Sequence, residues 1–207
     1  PAGARKAYEV DNFLFNAGVS SEGGVEEGLL HLHMNTSIEK LIHNQIEGYD
    51  IAKLRFDVKA VVEELNRLTL EQLVFENAAG GTKFSMTGLV DGLNADRILV
   101  DEMGIPGRQK VIFEGKFSQD LAPVKVNAES MTTAGTISLP FKVSSGDMSV
   151  FRLVGELEAN NLTVEMPGDG IALVDFNGKI PVVEDISVTD AGVELLPGPK
   201  KNLYSLK

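Results

Sequence analysis

Leu30, Leu32 and Met34 alternate with His31, His33 and Asn35. Successive side chains of a strand point to opposite faces, so this spacing predicts a strand with one apolar side. The pattern returns at Leu54, Phe56 and Val58, and at Ile137, Leu139, Phe141 and Val143. Leu153, Leu157 and Ala159 form another such face, and past Asn160-Asn161 it resumes at Leu162, Val164 and Met166. That last stretch reads as strand, turn, strand. An opening strand carries Val10, Phe13, Phe15 and Val19, and one from Leu70 leads toward Val74. Further strands are expected over residues 97–101, 110–117, 124–128, 171–180 and 186–195. Residues 38–46 fit a short helix or a strand equally well.

Polar, glycine-rich turns separate these runs at residues 20–24, 77–81, 144–147 and 168–170. Turn signals about every 10 to 15 residues indicate antiparallel, all-β structure. Pro140 lies within one run, which marks that strand as an edge or a bulge. One segment breaks the alternation. Val58, Val61, Val62, Leu65 and Leu68 recur at spacings of three and four, with Glu63, Glu64, Asn66 and Arg67 between them. This predicts a short amphipathic helix over residues 59–67, capped by Asp57, that covers something hydrophobic.

The fold class expected is mainly β: a long, curved antiparallel sheet, groove-like, with one or two short helices. Gly104 to Gly107 is the best place for a boundary. It divides a strand-rich part with the helix, 1–103, from an all-β part, 108–207, while one sheet running through both stays open. The 207 residues suffice for a core, and a compact chain of this length buries roughly 70% of its unfolded surface. Apolar residues at 43% and charged residues at 24% are ordinary globular proportions. Ten Phe, three Tyr and no Trp leave most of the interior to aliphatic side chains.

A net charge of −11 repels phosphate backbones, so no nucleic-acid partner is expected. The absence of Cys removes thiolate nucleophiles, disulfides and Cys-ligated zinc. No apolar run reaches the ~18 residues of a membrane-spanning helix. The chain begins without Met and ends in strand-like sequence, which reads as a segment of a longer protein.

Little catalytic chemistry is visible. His31 and His33 share a strand face, and with His43 they offer three imidazoles; a solvent-facing polar surface is the simpler account, and no metal site is assigned. The acid pairs Glu26-Glu27, Glu63-Glu64, Asp101-Glu102 and Glu184-Asp185 place neighbours on opposite strand faces, so a hydrolytic dyad would need carboxylates from separate strands. The glycines of residues 77–81 and 88–92 lack the Gly-Lys-Ser/Thr ending of a phosphate loop. No cofactor is implied, and the chain is expected not to be an enzyme.

The run from Gly135 to Val143, the run from Leu153 to Pro167, and Ile171 to Pro181 carry short strands of the type Gly-x-Leu-x-x-x-x-Leu-x-Val between Asn, Asp or Gly turns. In this the chain resembles the AsmA-like superfamily of Gram-negative envelope proteins, the group of TamB and YdbH. The stretch from Ile51 to Asn77 is similar to the strand–short helix–strand units of related envelope proteins. The resemblance implies a hydrophobic β-groove in the periplasm, a parent protein anchored at the inner membrane, and passive movement of phospholipid in outer membrane biogenesis. It supplies no catalytic residues. The groove lining then expected is Ile137, Leu139, Phe141, Val143, Leu153, Leu157, Leu162, Val164, Met166, Ile171 and Leu173. The ligand would be phospholipid or another acyl-chain molecule, with membrane contact through regions outside this segment. End-to-end association of copies is left open. The alternative is a structural or adhesion β-module with a closed core and no ligand.

Overall fold

The computed structural model describes residues 8–24, 28–43, 51–93, 110–124, 131–146, 150–189 and 192–196. They form ten strands: β1 (Tyr8–Glu22), β2 (Leu29–His43), β3 (Ala52–Glu63), β4 (Arg67–Asn77), β5 (Thr82–Asp91), β6 (Lys110–Asp120), β7 (Thr132–Ser145), β8 (Val150–Met166), β9 (Ile171–Thr189) and β10 (Gly192–Leu196). Each strand pairs antiparallel with the next in sequence, giving one ten-stranded sheet in the order β1 to β10. It is a long, curved, mainly-β sheet that does not close. The boundary expected at residues 104–107 lies outside the described residues, as do the strand at 97–101 and all of 124–128 after Val124. β5 and β6 nevertheless pair along their whole length, from Thr82↔Gln119 to Asp91↔Lys110.

No helix forms over residues 59–67. β3 continues to Glu63, and β4 starts at Arg67 and pairs back with it. Between them Glu64 and Leu65 both take left-handed backbone angles, φ 50° and 51°. The Asn66 N–H donates to the Glu63 carbonyl at 2.9 Å, closing a tight turn. Positive φ at both central positions matches the right-handed twist of the flanking strands. The three-and-four spacing of Val58, Val61, Val62, Leu65 and Leu68 therefore comes from two strands read across a turn. Val61 pairs with His31 and Thr69 on one side of the sheet, while Val62 pairs with Leu30 and Leu68 on the other.

The strand–turn–strand reading at Asn160-Asn161 is also corrected: β8 runs unbroken through it. Asn161 has φ 49° and is an extra residue, since residues 160 and 163 pair with Thr136 and Ala134 of β7. Such a bulge shifts the side-chain phase by one position. β9 makes the reciprocal shift at Asp175, φ 51°, so that Leu162 faces Phe176 and Val164 faces Leu173. Gly135 of β7, φ 92°, completes a row of irregularities across three neighbouring strands. Side chains hold this row. The Asn161 N–H donates to Asn177 Oδ1 at 2.9 Å, the Asn177 amide donates to the Asp175 carbonyl at 2.9 Å, and the Asp175 N–H donates to Thr163 Oγ1 at 3.2 Å.

Pro140 lies on an interior strand, between β6 and β8. The β7–β8 ladder passes from Ser138↔Glu158 to Phe141↔Gly155 with the two positions between left out, and that interruption accommodates a residue with no N–H. The stretch 38–43 is strand, the end of β2. The Asn77–Gly81 turn is fixed by Asn77, 2% exposed, whose Oδ1 accepts the N–H of Gly80 at 3.2 Å and of Ala52 at 3.3 Å.

The chain exposes 14447 Å². A compact domain of its 22.3 kDa would expose roughly 9,400 Å². Among the described residues the sheet is a single layer, and nothing packs across either face. The buried apolar side chains among the described residues are Ala60, Leu70, Val90 and Val111, at 3–8% exposure. They come from adjacent strands, β3 to β6, and mark where the sheet is best covered by its own side chains.

Candidate functional site

In an antiparallel pair, residues directly opposite each other share a face. Followed across the sheet, this rule gathers most large apolar side chains of the central strands on one side, with Asn77, Thr82 and Gln119 among them, while Val61, Val74, Leu89 and Ile112 lie on the other. Starting in β2, Met34 faces Val58, Val58 faces Leu73, and Leu73 faces Met86. One rung away Phe56 faces Phe75, Phe75 faces Phe84, Phe84 faces Phe117, and Phe117 faces Leu139. The row enters β8 and β9 through Ile137↔Ala159 and Leu157↔Ile180. One apolar face thus runs from β1 to β9.

All eleven residues expected to line a groove lie on that face. Ile137, Leu139, Phe141 and Val143 pair with Gln119, Phe117, Gly115 and Phe113 of β6. Val143 in turn faces Leu153, and Leu157 faces Ile180. The bulge at Asn161 brings Leu162, Val164 and Met166, whose positions are even, onto the same side as Leu153 and Leu157, whose positions are odd. Their partners are Phe176, Leu173 and Ile171. Without the bulge row, one of these two groups would point backward.

The sequence reading placed the lining in the second half alone. The register adds as much again from β2 to β6. The same alternation stood at Leu30 to Met34 and Leu54 to Val58, but the helix drawn over 59–67 cut it off. Glycines shape the surface as well. Phe141 lies over Gly115, where an added Cβ would come 2.7 Å from its ring. That ring reaches across β6 to stack on Phe84, centroids 5.8 Å apart and planes 19° from parallel. The absent side chain is what lets two aromatic rings two strands apart meet.

The lining residues are half-buried or exposed; among them Ile171 is 53% and Leu173 39% exposed. β1 continues the face with Phe13, Phe15 and Val19, each more than half exposed. Apolar surface of this extent is far beyond the scattered exposed side chains of an ordinary monomer. Polar groups on it are few, Asn77, Thr82, Gln119 and Glu184 among them, so what it can chiefly do is bury other apolar matter.

The reverse face carries most of the charge, and several of its charges are paired. Lys142 pairs with Glu114 at 2.7 Å, and Lys179 lies 2.6 Å from both Glu156 and Glu158. Arg67 pairs with Asp91 at 3.2 Å and Glu63 at 3.5 Å, which raises its pKa further. Asp57 is held by Arg55 and Asn35. His31 and His33 are on this face too, with the His33 ring against Gly18 and His31 Nε2 3.8 Å from Glu22. The side chain of His43 is outside the described residues. No cluster of three or more potential metal ligands occurs among the described residues.

The Lys179 hydrogen bond, aided by that of Ser138, holds the Glu158 carboxyl below its ordinary value of 4.5. A depressed acid contributes stability above its unfolded pKa and loses it as pH falls through the folded pKa. The melting temperature is therefore expected to drop on acidification below the ordinary carboxylate range, and Lys179→Gln should flatten that part of the profile. An unchanged profile in thermal melts of Lys179→Gln would show that the pair contributes nothing.

No family model matches the chain, and no solved structure matches it. Among curated proteins it is similar to the 3-dehydroquinate synthase of Methanothermobacter thermautotrophicus, with 28% identity over 134 residues. The match covers 65% of this chain and 33% of that protein, so the chain spans about a third of the length of the curated relative it matches. The expectation that the chain is not an enzyme is corrected by this finding, because the relative bears an enzyme's name.

Proposed function

We propose that the apolar face binds the acyl chains of phospholipid and lets them pass along the sheet, in a segment of a cell-envelope protein. The observation that carries this reading is the apolar face from β1 to β9, on which nothing among the described residues packs, backed by a face that carries charge. Transfer would be passive. Each methylene moved from water onto the face gains about 0.8 kcal/mol, and a surface of uniform character offers a chain many near-equivalent positions. The resemblance to the AsmA-like superfamily points the same way and suggests the periplasm. Native mass spectrometry of the purified protein, with extraction and analysis of whatever is bound, tests it. Stoichiometric phospholipid is the expected result; a lipid-free mass with a cooperative melt would overturn it.

The match to a 3-dehydroquinate synthase favours a second reading, in which the chain belongs to an enzyme of about three times the matched length and the apolar face is covered by the rest of that protein. The likeness reaches a third of the relative, so activity in this segment is a separate question from kinship. Formation of 3-dehydroquinate by the purified chain would support this reading; a lipid-binding face in the purified chain with no such activity would favour the first.

A further inference from the structure

We infer that the outer edge of β1 is a self-association edge, joining two copies through antiparallel β1–β1 pairing. β1 is fifteen residues long and pairs with β2 alone among the described residues. Long outer strands are normally blunted by charges, Pro or short length, because their free N–H and C=O groups recruit other chains. β1 has none of these between Asn12 and Ser21: the run is Asn-Phe-Leu-Phe-Asn-Ala-Gly-Val-Ser-Ser, with no charge in a chain of net charge −11. The outermost described strand on the other side, β10, is five residues long and carries Glu194.

The run is also self-complementary. Paired antiparallel about Asn16, it sets Phe13 against Val19 and Phe15 against Ala17 on the apolar face, and Leu14 against Gly18 on the polar face. Every large side chain meets a smaller one. Centring on Phe15 instead would oppose that ring to its own copy. A two-fold axis normal to the sheet keeps each face on its own side, so the apolar face would continue across the join. It would also cover the edge where Phe13, Phe15 and Val19 are 60%, 55% and 71% exposed. The occupant is a second copy of this chain, since contact with a charged partner strand would leave charges opposite an uncharged row. This inference does not depend on lipid binding.

The test is sedimentation equilibrium of the 207-residue chain with paired charge variants at Asn16, an exposed polar-face position. The wild type is expected at twice 22.3 kDa. Asn16→Lys and Asn16→Glu each place like charges opposite one another at the axis, and each is expected to dissociate at least tenfold more readily. Mixing the two variants should restore the dimer. A monomeric wild type at 100 μM or so, an undiminished dimer in Asn16→Lys, or a mixture that stays monomeric would each overturn the proposal; stacking through the apolar faces would give the second of these, since Asn16 is on the other side. Should a variant fail to fold, hydrogen exchange in the wild type decides: amides 13–19 must gain protection as concentration rises, and constant protection overturns the pairing.

Discussion

Leu139→Glu is expected to strip the protein of bound phospholipid and leave it folded. Leu139 sits mid-face, opposite Phe117, and is neither buried nor covered by a second layer. In the free protein its carboxylate would reach water at little cost, within about 1 kcal/mol, as for most substitutions outside a core. With an acyl chain laid across it, the same carboxylate would be desolvated without a partner. Losing contact with about four methylenes costs about 3 kcal/mol, on the order of a hundredfold in affinity. Val164→Glu, beyond the bulge row, should behave alike. Lipid content measured after purification, beside a thermal melt, separates the outcomes. Lipid retained in both variants would remove the face from the ligand's path. Unfolding of both would mean that the face is closed in solution. Val111→Glu supplies the contrast: at 3% exposure it lies where the sheet covers itself, and a charge there should unfold the protein.

Most of the strands were legible because period-two alternation states both the element and its face. What misled was phase. An alternation that changes parity, as between Ala159 and Leu162, looks the same whether a hairpin turns the chain or a bulge adds a residue. Only the partner strands decide, and Thr136 and Ala134 of β7 stand 24 and 29 positions before the residues they face, Asn160 and Thr163. The false helix at 59–67 arose similarly. Two strands joined by a two-residue left-handed turn give apolar spacings of three and four, and Glu64-Leu65 lacks the Asn-Gly signature that usually announces such a turn. The alternation that sets the eleven residues apart was legible in the sequence, and the groove reading of them came from the resemblance. That their face joins another from β2 to β6 could not, since it follows from ten strands pairing in strict sequence order.

Gly135→Val is expected to cost about 3 kcal/mol or more, lowering the melting temperature by about 6–12 °C for a chain of this size. Two independent strains meet at this position. Its φ of 92° is a backbone conformation that branched side chains avoid. An added Cβ would also lie 2.3 Å from the Asn161 carbonyl oxygen and 2.7 Å from that of Asn160. Both obstacles are backbone, so no rotamer change relieves them. Relief requires moving the β8 bulge, and that bulge sets the phase of Leu162, Val164 and Met166. The variant should therefore lose more than stability. If β8 re-registers by one residue, those three side chains turn to the charged face, and lipid retention falls in the fraction that remains folded. Gly168→Ala is the control, since nothing lies within 4 Å of its Cβ position, and it should melt within about 1 °C of wild type. A Gly135→Val protein that melts with the wild type would mean that the three-strand bulge row is absent, and with it the single apolar face.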